Sequence, residues 1–324
     1  MDVRRLAQFV AIVEAGSLSR AAERLRLAQP ALSHALAALE EELGVPLLHR
    51  HSRGVAPTEL GAVLLEQARI IVREVERTRE LLRHRLEQPA GNVRLGIAPH
   101  LAGGLCAPLL ARLQDSHPSI SLRVVEGGTE RLTAGLDLGQ IDLAALPGAQ
   151  FADDLSARPL VIEDLCLVTA RGALPGRRRR LVELERFRLA LPPPGDLLRT
   201  LLDEAAAQYS VRLSAPWEIE SVAAALALAE APGQATVLPA FALCAAGEHR
   251  LEALPLAEPK LSWCVFAVRK RGRSLTRAAE AVLDALVAVA DELVRARSWR
   301  GRFVGHVPTE AAGLRVMGAE DALR

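Results

Sequence analysis

Apolar residues recur at helical spacing three times near the start of the chain. Leu6, Phe9, Val10 and Val13 form a first stripe, predicting a helix that stops at Gly16. Leu18 to about Leu25 make a short second helix with Ser17 placed to cap it. Its Ala21 and Ala22 are small enough for close contact with a neighbouring helix. After a turn through Arg26-Leu27-Ala28, a third helix opens with Pro30 in its first turn, where proline is tolerated. Leu32, Leu36, Leu39 and Leu43 predict its buried face. Residues 47–58 then read as two short strands around a basic tip.

Thr58 is placed to cap a long helix reaching about Glu87, before Pro89 and Gly91. Leu60, Leu64, Ala68, Ile71, Val75, Thr78 and Leu82 form a narrow seam of the kind that joins two helices in a coiled coil. The competing expectation is an amphipathic helix docked on its own domain. From Asn92 the pattern changes to strand, helix, strand. Strands are predicted at 93–98, 120–125, 141–146, near 164–169, 187–192, 235–239 and at 261–268. Helices are predicted from about 103 to 113, 130 to 138, 197 to 208, 220 to 230 and 275 to 297. This alternation predicts a mostly parallel, doubly wound α/β sheet. Residues 299–324 show no period and are expected as an irregular tail.

A length of 324 residues exceeds one ordinary domain. No apolar run approaches the roughly 20 residues that span a bilayer, and no apolar leader opens the chain, so a soluble cytosolic protein without membrane contact is expected. The net charge of +1 gives no bulk basicity, so any case for nucleic acid rests on local pattern. Aromatic residues at 3% argue against base-stacking platforms for single strands. Cys106, Cys166, Cys244 and Cys264 lie far apart, which predicts reduced structural thiols and no metal cage. The two lysines, Lys260 and Lys270, follow no glycine-rich loop, and neither G-x-S-x-G nor H-E-x-x-H occurs. No enzyme, catalytic residue or cofactor is expected.

The third helix carries the local chemistry. Gln29, Ser33 and Ala37, with Pro30 and His34 alongside, lie off its buried face, and Glu40, Glu41 and Glu42 wait at its far end. A slim, acid-free N-terminal half suits entry into the major groove. Arg50 and Arg53 in the following hairpin suit phosphates or the minor groove. Three short helices with a solvated hairpin remain the alternative. The arginine run Arg177–Arg180 reads as a solvated loop before a second DNA contact.

Residues 9–25, the run Ala28-Gln29-Pro30-Ala31-Leu32-Ser33-His34 and residues 39–50 together resemble the N-terminus of LysR-type transcriptional regulators. Residues 53–61 and 218–222 resemble the nitrogen-assimilation-control branch, although Pro232 departs from its glycine-rich turn. The resemblance implies an all-α winged helix-turn-helix (1–58), a linker and dimerisation helix (59–90) and a two-lobed α/β effector-binding domain similar to periplasmic binding proteins (91–298). The first lobe is expected at 92–162 and 268–297, the second at 163–267, with crossovers near 160–166 and 263–268. Ser17, Ser19, Arg20, Gln29, Pro30, Ser33, His34, Arg50 and Arg53 are the expected DNA contacts; at His34 the family often has Arg or Lys. Strand ends and helix N-termini nominate Pro99, His100, Leu101, Gly128, Thr129, Asp196, Arg199 and Ser221 for a small, anionic effector. The implied partners are double-stranded DNA, that effector, a second copy of the chain in a dimer or tetramer, and RNA polymerase. Two alternatives stay open: a regulator with a vestigial cleft, and a cytosolic solute-binding protein.

Overall fold

Asp2 starts the first helix by accepting from the Arg4 amide at 3.0 Å. The computed structural model describes residues 2–51, 54–83, 89–148, 150–176, 178–245 and 250–305, with backbone alone at 50, 80–83 and 245. Two compact units result, one of residues 1–86 with 138–140, the other of 87–137 with 141–324.

In the first unit, α1 (Val3–Ala15) ends at Gly16 with φ 61°. The second helix, α2 (Leu18–Leu25), follows; the Ser17 side chain makes no capping bond, contrary to expectation. The third, α3 (Gln29–Leu43), has Pro30 in its first turn. Leu6, Phe9, Ile12, Ala21, Leu32, Leu36 and Leu39 bury together at their junction. Leu43 was expected there and is exposed. Past Gly44 the chain folds back over Glu40, whose Oε1 accepts from the amides of Leu47 (2.7 Å) and Leu48 (3.3 Å), so the covered stripe stops short of Leu43. The strands β1 (Leu48–His51) and β2 (Gly54–Pro57) pair antiparallel with His49 opposite Ala56. Gly54 is required here: Val55 N donates to Gly16 O at 3.1 Å, and a Cβ at Gly54 would stand 2.3 Å from that oxygen. Thr58 caps α4 (Glu59–Arg83) as expected, its Oγ1 accepting from Gly61 N at 2.9 Å.

The second unit is a two-lobed α/β module. Its first lobe holds the parallel strands β3 (Gly91–Ile97), β4 (Ile120–Glu126) and β5 (Leu143–Gly148), connected by α5 (Pro99–Ser116) and α6 (Thr129–Asp137). A 16-residue strand, β6 (Leu155–Ala170), then runs through both lobes. In the second lobe come β7 (Arg179–Arg180), β8 (Arg188–Leu191), α7 (Leu197–Gln208), β9 (Trp217–Glu218), α8 (Val222–Ala229) and β10 (Gln234–Pro239). A 3-10 turn at Ala240–Ala245 leads to β11 (Leu251–Glu258). The chain returns through β12 (Ser262–Lys270), α9 (Arg277–Arg295) and β13 (Gly301–Phe303).

Pairing places the crossings. Up to Asp164, β6 pairs with β12; from Leu165 onward it pairs with β10 and β11. The first crossing falls within 160–166. The second does not fall at 263–268, because residues 264–268 pair with β5 inside the first lobe. It lies at residues 259–261, between β11 and β12. Two further expectations are corrected. The tail does not begin at 299: Trp299 is fully buried, β13 pairs with β6 at Val161–Glu163, and Arg158 donates twice to Gly305 O, at 3.2 and 2.9 Å. Residues 306–324 lie outside the described residues. Nor is the arginine run all solvated, since β7 pairs with β11 and Arg179 is buried, donating to Pro175 O and to Arg178 O at 3.0 Å. Arg177 lies outside the described residues. Among the described residues no helix is long and apolar enough to cross a membrane.

Candidate nucleic-acid interface and sensor module

The opening turns of α3 present Gln29, Pro30 and His34 to solvent and Ser33 half-buried, while Leu32 and Leu36 face the core. No acid stands in the first turn. At the start of α2, Ser19 and Arg20 are exposed. Other arginines of this unit are spent on carboxylates: Arg5 on Glu42 at 3.1 Å, Arg24 and Arg69 on Glu14 at 3.8 and 3.3 Å. Arg20 pairs with no carboxylate among the described residues. In the hairpin, His49 and His51 are exposed beside the expected contacts, two polar groups the sequence reading passed over. Arg53 and the side chain of Arg50 lie outside the described residues.

Part of the seam expected on α4 packs within its own unit. Ala68 is buried, and Leu64, Leu65, Ile71 and Val72 pack on the helix-turn-helix core, because α4 docks along α1. Leu60 and Val63, 53% and 60% exposed, carry the apolar surface left over. The side chain of Leu82 lies outside the described residues.

The nominated effector positions part into three sets. Pro99, Gly128, Thr129 and Ser221 keep exposed surface. Thr129 opens α6, its Oγ1 3.5 Å from Pro147 O, and Ser221 caps α8 by accepting from Ala224 N at 3.3 Å. Asp196 and Arg199 serve their own lobe. Asp196 caps α7 through Leu198 N at 2.8 Å; Arg199, 17% exposed, donates to Asp203 Oδ2 (2.8 Å) and Pro192 O (3.3 Å). His100 and Leu101 do not face an open cleft: Leu101 is core, and His100 is buried with Nε2 3.1 Å from Glu163 Oε1.

Glu163 is the centre that sequence reasoning missed. It is 1% exposed, at the last residues of β6 before the crossing. Trp263 Nε1 donates to its Oε1 and Trp299 Nε1 to its Oε2, each at 2.7 Å. His100 tilts against Trp263 with ring centroids 5.0 Å apart. Trp299 stacks on Phe241 at 4.3 Å and 10°. A buried carboxylate is costly unless such donors replace water, so the four residues stand or fall together. The available signal was the rarity of the indoles: two of three tryptophans in the chain meet one acid.

Burial decides the cysteines. It pushes the thiols of Cys166 and Cys264 up to about 12 and raises that of Cys106, which disfavours the thiolate at all three.

A winged helix-turn-helix with an acid-free reading helix, followed by a two-lobed α/β sensor, defines a ligand-responsive class of DNA-binding transcription factor. The chain belongs to the LysR family: residues 3–62 match the "Bacterial regulatory helix-turn-helix protein, lysR family" model and residues 86–291 the "LysR substrate binding domain" model. It is a DNA-binding transcriptional regulator with an effector-binding domain, and not an enzyme. It is 33% identical over 293 residues to the nitrogen assimilation regulatory protein nac of Klebsiella aerogenes, covering 89% of this chain and 95% of that one. Full-length CbnR complexed with its target DNA shares the fold, with a TM-score of 0.68 at 22% identity over 90% of this chain and 99% of that one. So does a full-length OxyR variant from Pseudomonas aeruginosa, with a TM-score of 0.68 at 21% identity over 90% and 97%.

Proposed function

We propose that Gln29, Ser33 and His34 read base edges in the major groove while Pro30 fixes the start of the reading helix. Ser17, Ser19, Arg20, Arg50 and Arg53 hold the phosphate backbone. One observation carries this reading above the others: the first turns of α3 hold no acid and leave Gln29, Pro30 and His34 exposed and Ser33 half-buried, while Leu32 and Leu36 are buried. Two copies pair through the Leu60–Val63 side of α4, and pairs of dimers form the tetramer that the family resemblance implies. RNA polymerase is the partner through which occupancy alters transcription, in the bacterial cytoplasm where the DNA lies.

In the sensor module a small molecule meets Pro99, Gly128 and Thr129 of one lobe and Ser221 of the other. The amide N–H groups opening α6 favour an anion there. A second reading, control without a diffusible effector, is favoured by the inward turn of His100 and Leu101.

Selection of bound duplexes from a random library tests the first claim. Gln29→Ala is expected to relax preference at one base pair in each half-site, with affinity for the best duplex falling about 5- to 150-fold, the equivalent of about 1–3 kcal/mol. Lower affinity with an intact preference would remove Gln29 from base reading.

A further inference from the structure

We propose that the junction between the two lobes is an indole-binding site filled in cis, with Trp299 as its tethered ligand. The proposal holds whether or not a diffusible effector binds elsewhere in the module. Its walls come from both lobes. Glu163 on β6 and His100 at the start of α5 belong to the first lobe, and Trp263 sits on β12 where it pairs with β6 while its side chain packs in the second lobe's core. Phe241 belongs to the second by chain position, in the turn after β10, yet its ring enters the core of the first. Gly104 on α5 admits it, because a Cβ there would stand 2.4 Å from Phe241 Cζ.

The site offers an aromatic face and an acceptor at the ring edge, the two features an indole uses. Glu163 Oε1 already takes Trp263 Nε1 and faces His100 Nε2, which leaves Oε2 to accept one more donor. The Trp299 ring supplies that donor at its edge, 2.7 Å from Oε2, and lays its face on Phe241 at 4.3 Å. A phenyl ring would offer the face without the donor, and an aliphatic chain neither.

The segment carrying this ring is fastened to the first lobe on both sides of it. Trp299 N donates to Leu293 O at 3.0 Å before the ring, and after it β13 pairs with β6 and Val304 N donates to Leu160 O at 2.8 Å. Trp299 therefore ties a strap anchored on one lobe to an aromatic ring supplied by the other. Its loss loosens the second lobe's turn as well as the first lobe's hinge strand.

Amide hydrogen exchange on full-length Trp299→Gly tests this. Exchange should rise both at 161–165 and at 240–244, and saturating free indole should restore protection at both. Trp299→Phe keeps the stack and loses the donor, so it should fall between the wild type and Trp299→Gly, and free indole should not change it. A rise confined to the first lobe would make Trp299 an ordinary core residue. Failure of indole to restore protection would show that the junction does not bind the ring. If Trp299→Gly does not fold, the phenylalanine variant decides: unchanged exchange at 240–244 overturns the tie between the lobes.

Discussion

Lys270 shows how a single side chain fixes a joint in the first lobe. Its ammonium donates to Asp137 Oδ1 at the end of α6, at 2.7 Å, and to Asp154 Oδ2 just before β6. The lysine hydrogen bond holds the Asp154 carboxyl below the usual carboxylate range, and bonding to Asp137 and Asp154 holds the lysine above its own. A lowered carboxyl contributes stability above its unfolded value, lost as pH falls through the folded one. A raised lysine contributes below its unfolded value, lost as pH rises through the folded one. The stability difference between wild type and Lys270→Met should therefore be level from about pH 6 to 9 and shrink below about pH 4 and above about pH 10.5. Denaturant titrations across that range check it; a difference that stays constant over the whole range would assign the effect to packing. The residue-level reading of the sequence succeeded where a side chain's role follows from its helix position, as for Thr58 or Pro30. It missed Glu163, whose partners come from positions 63 and 100 or more residues away, a convergence no local pattern encodes.

Among the elements, α4 separates periodicity from destination. A 3.5-residue stripe shows that one face is buried but not against what. Here the stripe through Leu64, Ala68 and Ile71 lies against its own core, and Leu60 and Val63 are the exposed apolar residues proposed to pair. Two variants separate the faces. Leu60→Glu with Val63→Glu should shift the protein toward monomer in sedimentation while its unfolding stays within about 0.5 kcal/mol of wild type, as for surface changes. Ala68→Glu places an unpaired charge at a fully buried site and should destabilise the N-terminal unit by several kcal/mol. If Ala68→Glu dissociates a still-folded protein, the original seam is restored. Elsewhere strands β3, β4 and β10 and helix α7 lie within two residues of expectation, since branched or alternating runs bounded by Gly and Pro are local signals. The strand β11 was not seen: Pro255 interrupts its alternation, and its pairing with β6 comes from tertiary contact. For β13, three residues are too few to carry a period.

The whole molecule joins a reader to a sensor, and the LysR architecture was legible because its densest signals lie in residues 9–50. Domain edges were less so, since the second crossing depends on which strand β12 joins, a choice made by the folded sheet. At this scale the effector claim predicts that an organic anion raises the melting temperature of the full chain. Thr129→Ala and Ser221→Ala should each abolish that shift. A thermal-shift screen of small acids checks this, and hits indifferent to both changes would place binding elsewhere. The central claim, that paired winged helices read two half-sites on duplex DNA, is tested most directly by footprinting the purified protein on genomic fragments. The account predicts protected sites with two inverted half-sites in register with the helical repeat, and tenfold or more weaker binding when one half is deleted. Protection without two-fold symmetry, or equal affinity for one half-site and two, would contradict it.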